Sequence, residues 1–239
     1  MDEHVEEIVL NDLDKGIAAF WHSVLDHTSE FLARVRTCPL TIPEWKKQRA
    51  VYLAKDTDDL DLGFATFYLN RTNRSGILNA RPIGGLDQAG QWTIAARFNR
   101  SDLANRIERI GRYRNRIAVQ ERDGIDLLAE SNSDANSFYY IDPPYLSKGS
   151  DLYLDELTWN DHVRLAKLLK IRNEPWILTY DADSRVLSEL YPGNRVASFG
   201  IAHTAAKQGV GTEYAIFAEG LELPSLNLLG WSPQMIDRS

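Results

Sequence analysis

The run Ser137-Phe138-Tyr139-Tyr140-Ile141 and the residues that end it, Asp142-Pro143-Pro144-Tyr145, constrain this chain more than any other stretch. Aromatic and branched side chains favour an extended strand, and two consecutive prolines can neither donate to a ladder nor let it continue. The strand therefore stops near Ile141 and delivers Asp142 to its carboxyl end. Five further apolar runs bounded by turn residues are expected to be strands, at residues 8–10, 116–119, 176–180, 195–199 and 214–218. Helical patterns lie between most of them. Ile17, Phe20, Trp21, Val24, Leu25, Phe31, Leu32 and Val35 recur at three- and four-residue steps. Thr158 with Asp161 reads as a capped helix start ahead of Val163, Leu165, Leu168 and Leu169. Alternating strands and helices predict an α/β fold with a largely parallel sheet, whose ligand groups gather beyond the carboxyl ends of the strands. Asp12, Asp123 and Asp142 all lie at or just past such ends.

Taken alone, the tetrapeptide has two readings. One is a rigid exit from strand to loop. The other is chemical: Asp142 offers a carboxylate acceptor, Pro143 a backbone carbonyl, and Tyr145 an aromatic face, with Pro144 stiffening the turn. Two acceptors holding the two hydrogens of an exocyclic amino group turn its lone pair toward an incoming methyl group, which is stabilisation by preorganised groups. That arrangement suits N6-methylation of an adenine stacked on Tyr145.

A chain of 239 residues with 44% hydrophobic content can bury a core for one α/β domain carrying an insertion. The single cysteine, Cys38, excludes an internal disulfide framework, so a reducing, cytoplasmic setting is expected. The first residues are acidic where a signal peptide is basic, and no apolar run approaches the roughly 20 residues that span a bilayer. Five scattered histidines and one cysteine supply no metal-ligand cluster, so no metal is expected. His162 is read as packing or capping at a helix start rather than as a base.

The formal charge of −7 hides an uneven distribution. Between residues 70 and 116 lie ten arginines and no lysine, against Asp87, Asp102 and Glu108, a local balance of +7. Arginine forks match phosphate oxygens and guanine edges, so the block reads as a surface for a polyanion. Arg106, Arg109, Arg112 and Arg116 also fall at helical spacing, for which a solvated helix face is the lesser, alternative reading. Residues 38–114 break the alternation of strands and helices and include a hairpin-like stretch at 83–94. They are expected to form an inserted recognition subdomain, with residues 1–37 and 115–239 forming the core. Residues 221–239 read as a tail without period.

The chain resembles the Dam-type (D12 class) adenine-specific DNA methyltransferases. The similarity is carried by Val9-Leu10-Asn11-Asp12-Leu13-Asp14, by Phe67-Tyr68-Leu69-Asn70-Arg71-Thr72-Asn73-Arg74-Ser75-Gly76, and by Arg97-Phe98-Asn99. Asp123, Tyr140-Ile141-Asp142-Pro143-Pro144-Tyr145, and Leu152-Tyr153 with Asp161-His162 complete it. The resemblance implies an S-adenosylmethionine-dependent enzyme with a Rossmann-like sheet, acting on double-stranded DNA. It assigns catalysis to Asp142, Pro143, Pro144 and Tyr145, and cofactor binding to Asp12, Asp123 and Asp142. Asp12 would hold the ribose hydroxyls and Asp123 the cofactor's adenine, although either acid also suits a helix cap, for which Asp14 is the better candidate of the first pair. Arg71, Asn73, Arg74, Arg97 and Lys148 are the expected DNA contacts, mostly to phosphate.

One element of that family is not found. A strand ending in a glycine-rich loop, which holds the methionine part of the cofactor, is expected just before residues 8–14. Gly84-Gly85 is no substitute, since it neither follows a parallel strand nor opens a helix. The expectation is therefore a sheet without its first central strand, from an internal start, a lost 5′ end, or a piece supplied by another polypeptide. Two alternatives stay open: a non-catalytic DNA-binding remnant, and an amino-group methyltransferase acting on RNA or protein.

Overall fold

The computed structural model describes residues 4–131, 136–146, 157–203, 209–223, 225–227 and 229–237. The chain divides into two compact units, Met1–Gly124 and Ile125–Ser239.

The first unit opens with β1 (Ile8–Asn11), whose partner β2 (Ile117–Gln120) lies parallel to it, Ile8 opposite Ile117 and Asn11 opposite Gln120. Most of the chain between them is helical: α1 (Lys15–Asp26), α2 (Thr28–Thr37), α3 (Ile42–Ala54), α4 (Asp59–Thr72) and α5 (Arg100–Gly111). Their starts follow from side chains that satisfy free amides. Asp14 accepts from the amides of Gly16 and Ile17, Thr41 from Glu44, Asp58 from Asp61, and Asn99 from Asp102. Every residue of α4 from Leu62 to Leu69 is buried, as befits a central helix apolar all round. Phe31, Phe64, Phe67 and Phe98 meet around it edge to face or tilted. Val24, Phe31 and Val35 share one apolar core with Trp45, Tyr52, Phe64 and Ile107, so packing is continuous across residues 37 and 38. The expected hairpin does not form. Residues 83–88 are successive turns, followed by bends at 90–92, with Gln88 at φ +54°, its amide donating to the carbonyls of Ile83 and Gly85 and accepting from Ile94 N.

The second unit begins within α6 (Gly124–Glu130) and contains β3 (Tyr139–Ile141), α7 (Trp159–Lys170), β4 (Trp176–Asp181), β5 (Arg195–His203), β6 (Gly209–Phe217) and β7 (Trp231–Met235). The expected start of α7 is a reciprocal cap between Thr158 and Asp161. The sheet order is β3-β4-β6-β5-β7. Only β3 and β4 run parallel; β6 is antiparallel to both β4 and β5, and β7 is antiparallel to β5. The fold is thus mixed α/β rather than largely parallel. The physical reason lies between His203 and Gly209, where too few residues intervene for the dozen or so that a parallel crossover needs. The expected tail also supplies a strand, β7, which tolerates Pro233 at the edge. Gly230 allows its approach, since a Cβ there would stand 2.2 Å from the carbonyl oxygen of Gly200.

Candidate active site and nucleic-acid interface

In the first unit, the carboxyl ends of β1 and β2 are tied together by Asp12 N to Gln120 O (3.2 Å) and by Asn11 Nδ2 to Arg122 O (3.0 Å). These ties bring the loop holding Asp123 beside the loop holding Asp12. Asp12 is exposed and accepts from Asp14 N at 2.9 Å, while Asp14 caps α1 and also receives Tyr52 Oη and Lys55 Nζ, each at 3.0 Å. A cavity of about 90 Å³ opens here, lined by Leu10, Asn11, Asp12, Ala18, Trp21 and Val119. Asn11 Oδ1 and Gln120 Oε1 are buried without a partner among the described residues. Buried acceptors of this kind call for a donor. Apolar walls, an acid at the strand end and unused acceptors suit one edge of a nucleoside, of which a cavity of this size takes only a part. A larger cavity of about 340 Å³, lined by Arg34, Cys38, Glu44, Lys47 and Asp61 among others, contains none of the expected site residues.

In the second unit, Asp142 follows β3 directly and is exposed, with Thr179 Oγ1 of β4 donating to its Oδ1 at 2.7 Å. Pro143 is buried and Pro144 half-buried, so the bend after the strand is held by rigid residues. Tyr145 Oη donates to the carboxylate of Glu213 on β6, and Leu146 N donates to Asp181 Oδ1 at 3.1 Å. Asp181 and Glu213 are directly opposite in the β4–β6 ladder. The acid, the proline bend and the aromatic ring are thus gathered at one sheet end and fixed by three residues that sequence reasoning missed: Thr179, Asp181 and Glu213. Their chain separations of 35 to 68 residues leave no local signal. Lys148 lies outside the described residues, as do Leu152 and Tyr153.

The arginine block separates into inward and outward members. Arg71 donates to the carbonyl of Arg97 through Nε and Nη2, and Arg97 Nη1 to that of Asn73 at 3.4 Å. Burial, and then the cations of Arg97 and Arg106, push the Arg71 guanidinium below its ordinary value. Arg100 is structural, its guanidinium donating to the carbonyls of Val35 and Cys38. Arg116 donates to the carbonyls of Glu6 and Val5. Arg106 and Arg112 form exposed i,i+4 pairs with Asp102 and Glu108, the solvated helix face that the spacing allowed. Asn73 is fully buried, accepting from Trp45 Nε1 at 2.7 Å and donating to the carbonyls of Ile77 and Leu78. Both its amide hydrogens and its oxygen are engaged inside the fold, where it supports this segment. Arg74 and Arg81 are exposed and adjacent, with Arg74 N donating to Arg81 O at 3.1 Å.

A mixed α/β chain with an acidic Asp-Pro-Pro-Tyr bend at the end of a parallel strand has the form of an amino-nitrogen methyltransferase. The profile of the D12 class N6 adenine-specific DNA methyltransferases matches residues 1–208, and the chain belongs to that family. It is also similar to the Type II methyltransferase M.CviBI of Paramecium bursaria Chlorella virus NC1A, 25% identical over 189 residues that cover 79% of this chain and 69% of that one. Family membership makes the chain a DNA adenine methyltransferase and implies S-adenosylmethionine as methyl donor and DNA as substrate. Among the described residues no group of three or more His, Cys, Asp or Glu is arranged to hold a metal ion. No described helix is long and apolar enough to cross a membrane.

Proposed function

We propose that Asp142, Pro143 and Tyr145 are the groups with which this chain orients an adenine of double-stranded DNA for methylation at N6. The observation that carries the reading is the Thr179 hydroxyl on Asp142 Oδ1, which holds the carboxylate at the strand end and occupies one of its oxygens. The target base is rotated out of the duplex at a cost of a few kcal/mol. Its ring then stacks on Tyr145, while Asp142 and the Pro143 carbonyl take the two amino hydrogens. Asp142 acts ionised, as an orienting acceptor, and the amino proton leaves after the new N–C bond has formed. Pro144 keeps the bend rigid.

Asp12 and Asp123 would hold the nucleoside part of S-adenosylmethionine, with the unpartnered oxygens of Asn11 and Gln120 nearby as further acceptors. When bound, the cofactor supplies a methyl group on a positively charged sulfur, which needs no metal for activation. Arg71, Arg74 and Arg97 are proposed to meet the DNA, Arg74 directly and Arg71 and Arg97 by raising the local positive potential. The segment 38–114 would serve as the recognition insertion of a Rossmann-like enzyme. The relative's designation as a Type II methyltransferase favours a restriction–modification setting.

Calorimetric titration of S-adenosylmethionine into the 239-residue chain tests the cofactor assignment: saturable binding that Asp12→Ala weakens supports it, and binding indifferent to Asp12→Ala refutes it. For the chemistry, Asp142→Ala is expected to abolish methyl transfer to duplex DNA with the fold retained. Near-normal turnover would refute the assignment.

A further inference from the structure

We infer that Glu213 is a positioning residue that clamps the Tyr145 ring by its hydroxyl and so sets the plane on which the target base stacks, an inference that rests on the function proposed above. Glu213 stands on β6 at 9% exposure, directly opposite Asp181 of β4. Like charges on directly opposed residues destabilise a sheet, and a carboxylate removed from water is expensive unless its oxygens are used. Two acids retained in that register therefore need a compensating use. The structure shows what both accept: the Tyr145 hydroxyl goes to Glu213, and the amide of the next residue, Leu146, goes to Asp181. Thr179, two residues before Asp181 on the same strand, secures Asp142 at the other end of the same bend. Three anchors from two strands thus hold a five-residue bend at its first residue and its last two.

The division of labour among the anchors follows from chemistry. Asp181 binds the backbone and fixes the path of the chain. Glu213 holds a side chain whose face the proposed function needs, and it does so through the hydroxyl at the ring's edge. A tyrosine held at its hydroxyl keeps one ring orientation, whereas a phenylalanine at the same place is free to rotate and tilt. The hydroxyl at residue 145 thereby has a purpose that base stacking alone does not require.

The test combines carbon-13 NMR of the full chain labelled at tyrosine Cζ with methyl transfer from S-adenosylmethionine to unmethylated duplex DNA. The Tyr145 resonance is assigned by its loss in Tyr145→Phe. Glu213→Ala is expected to move that resonance and to lower kcat by about tenfold to a hundredfold with little change in KM for DNA. Glu213→Gln keeps an acceptor oxygen and should retain most of both. In the Tyr145→Phe background, Glu213→Ala should cost nothing further. Should Glu213→Ala fail to fold, Tyr145→Phe with an unchanged thermal midpoint carries the same expected loss in kcat, since the stacking face is kept. A resonance indifferent to Glu213→Ala, or losses that add in the double variant, overturns the clamp. A wild-type chain that moves no methyl group while its Tyr145 resonance still answers to Glu213→Ala refutes the functional reading and supports the contact.

Discussion

At the scale of single residues, His162 shows how burial decides the use of a titratable group. Its ring is 1% exposed and its Nδ1 lies 2.7 Å from the Tyr180 hydroxyl. Burial pushes the imidazole below its ordinary value of 6.5, the Arg185 cation adds to the effect, and Asp161 and Asp181 oppose it. The native state thus keeps His162 neutral where the unfolded chain accepts a proton. With the folded value depressed, lowering the pH through about 6.5 lets the unfolded state gain protons first, so stability falls with pH. Thermal midpoints measured between pH 7.5 and 5.5 are expected to drop toward the acid side, and His162→Asn should flatten that dependence. An unchanged slope in the variant would place the acid sensitivity elsewhere. The same burial denies His162 the solvent access that a general base would use.

At the scale of elements, the α1–α4 contact and the β4–β6 ladder explain what could be read from the sequence and what could not. The strand ending at Asp142 was legible because its signal is local, an aromatic run halted by two prolines. The alternating helices α1 and α7 were legible through their apolar stripes and caps. α4 was not, because a helix buried on all sides carries no stripe, and β7 was not, because its Trp-Ser-Pro-Gln-Met sequence has no alternation and a proline. Thr179, Asp181 and Glu213 became part of the candidate site only through sheet register, which spacing along the chain does not encode. Close approach leaves a sharper trace. A Cβ on Gly63 would stand 2.4 Å from both the Ala19 carbonyl oxygen and Ser23 Oγ, so α1 and α4 meet where only glycine fits. Gly63→Ala is expected to destabilise the chain by about 1–3 kcal/mol, as overpacking typically does. Chemical denaturation checks this, and a neutral or stabilised variant would mean the helices separate at little cost.

At the scale of the whole molecule, the decisive feature is how charge is distributed. A chain of net −7 repels a polyanion on average, yet its arginines are concentrated between residues 70 and 116. Several of them are committed internally, Arg100 to Val35 and Cys38 and Arg71 to Arg97. The outward share of the positive charge therefore falls to residues such as Arg74 and Arg81. Arg74→Ala and Arg81→Ala are each expected to weaken DNA binding with little change in stability. Each should also reduce the steepness of its salt dependence by about one unit in a log–log plot. Equal salt slopes in variant and parent would remove these two from the interface. With the basic segment as the interface, the acidic surroundings discourage DNA from settling elsewhere.

The two borders of the five-stranded sheet differ in kind. At β7 a proline interrupts the outer row of donors and a shift of register between Ser198 and Gly200 twists the pairing. At β3 the strand is three residues long, with Tyr140 turned to solvent. In the language of polymerisation, one border is chain-terminated and the other is reactive. Among the described residues of this sheet, an added strand or a second copy is therefore expected to pair at β3, and the border left over would be the blocked one of β7, from which a filament does not grow.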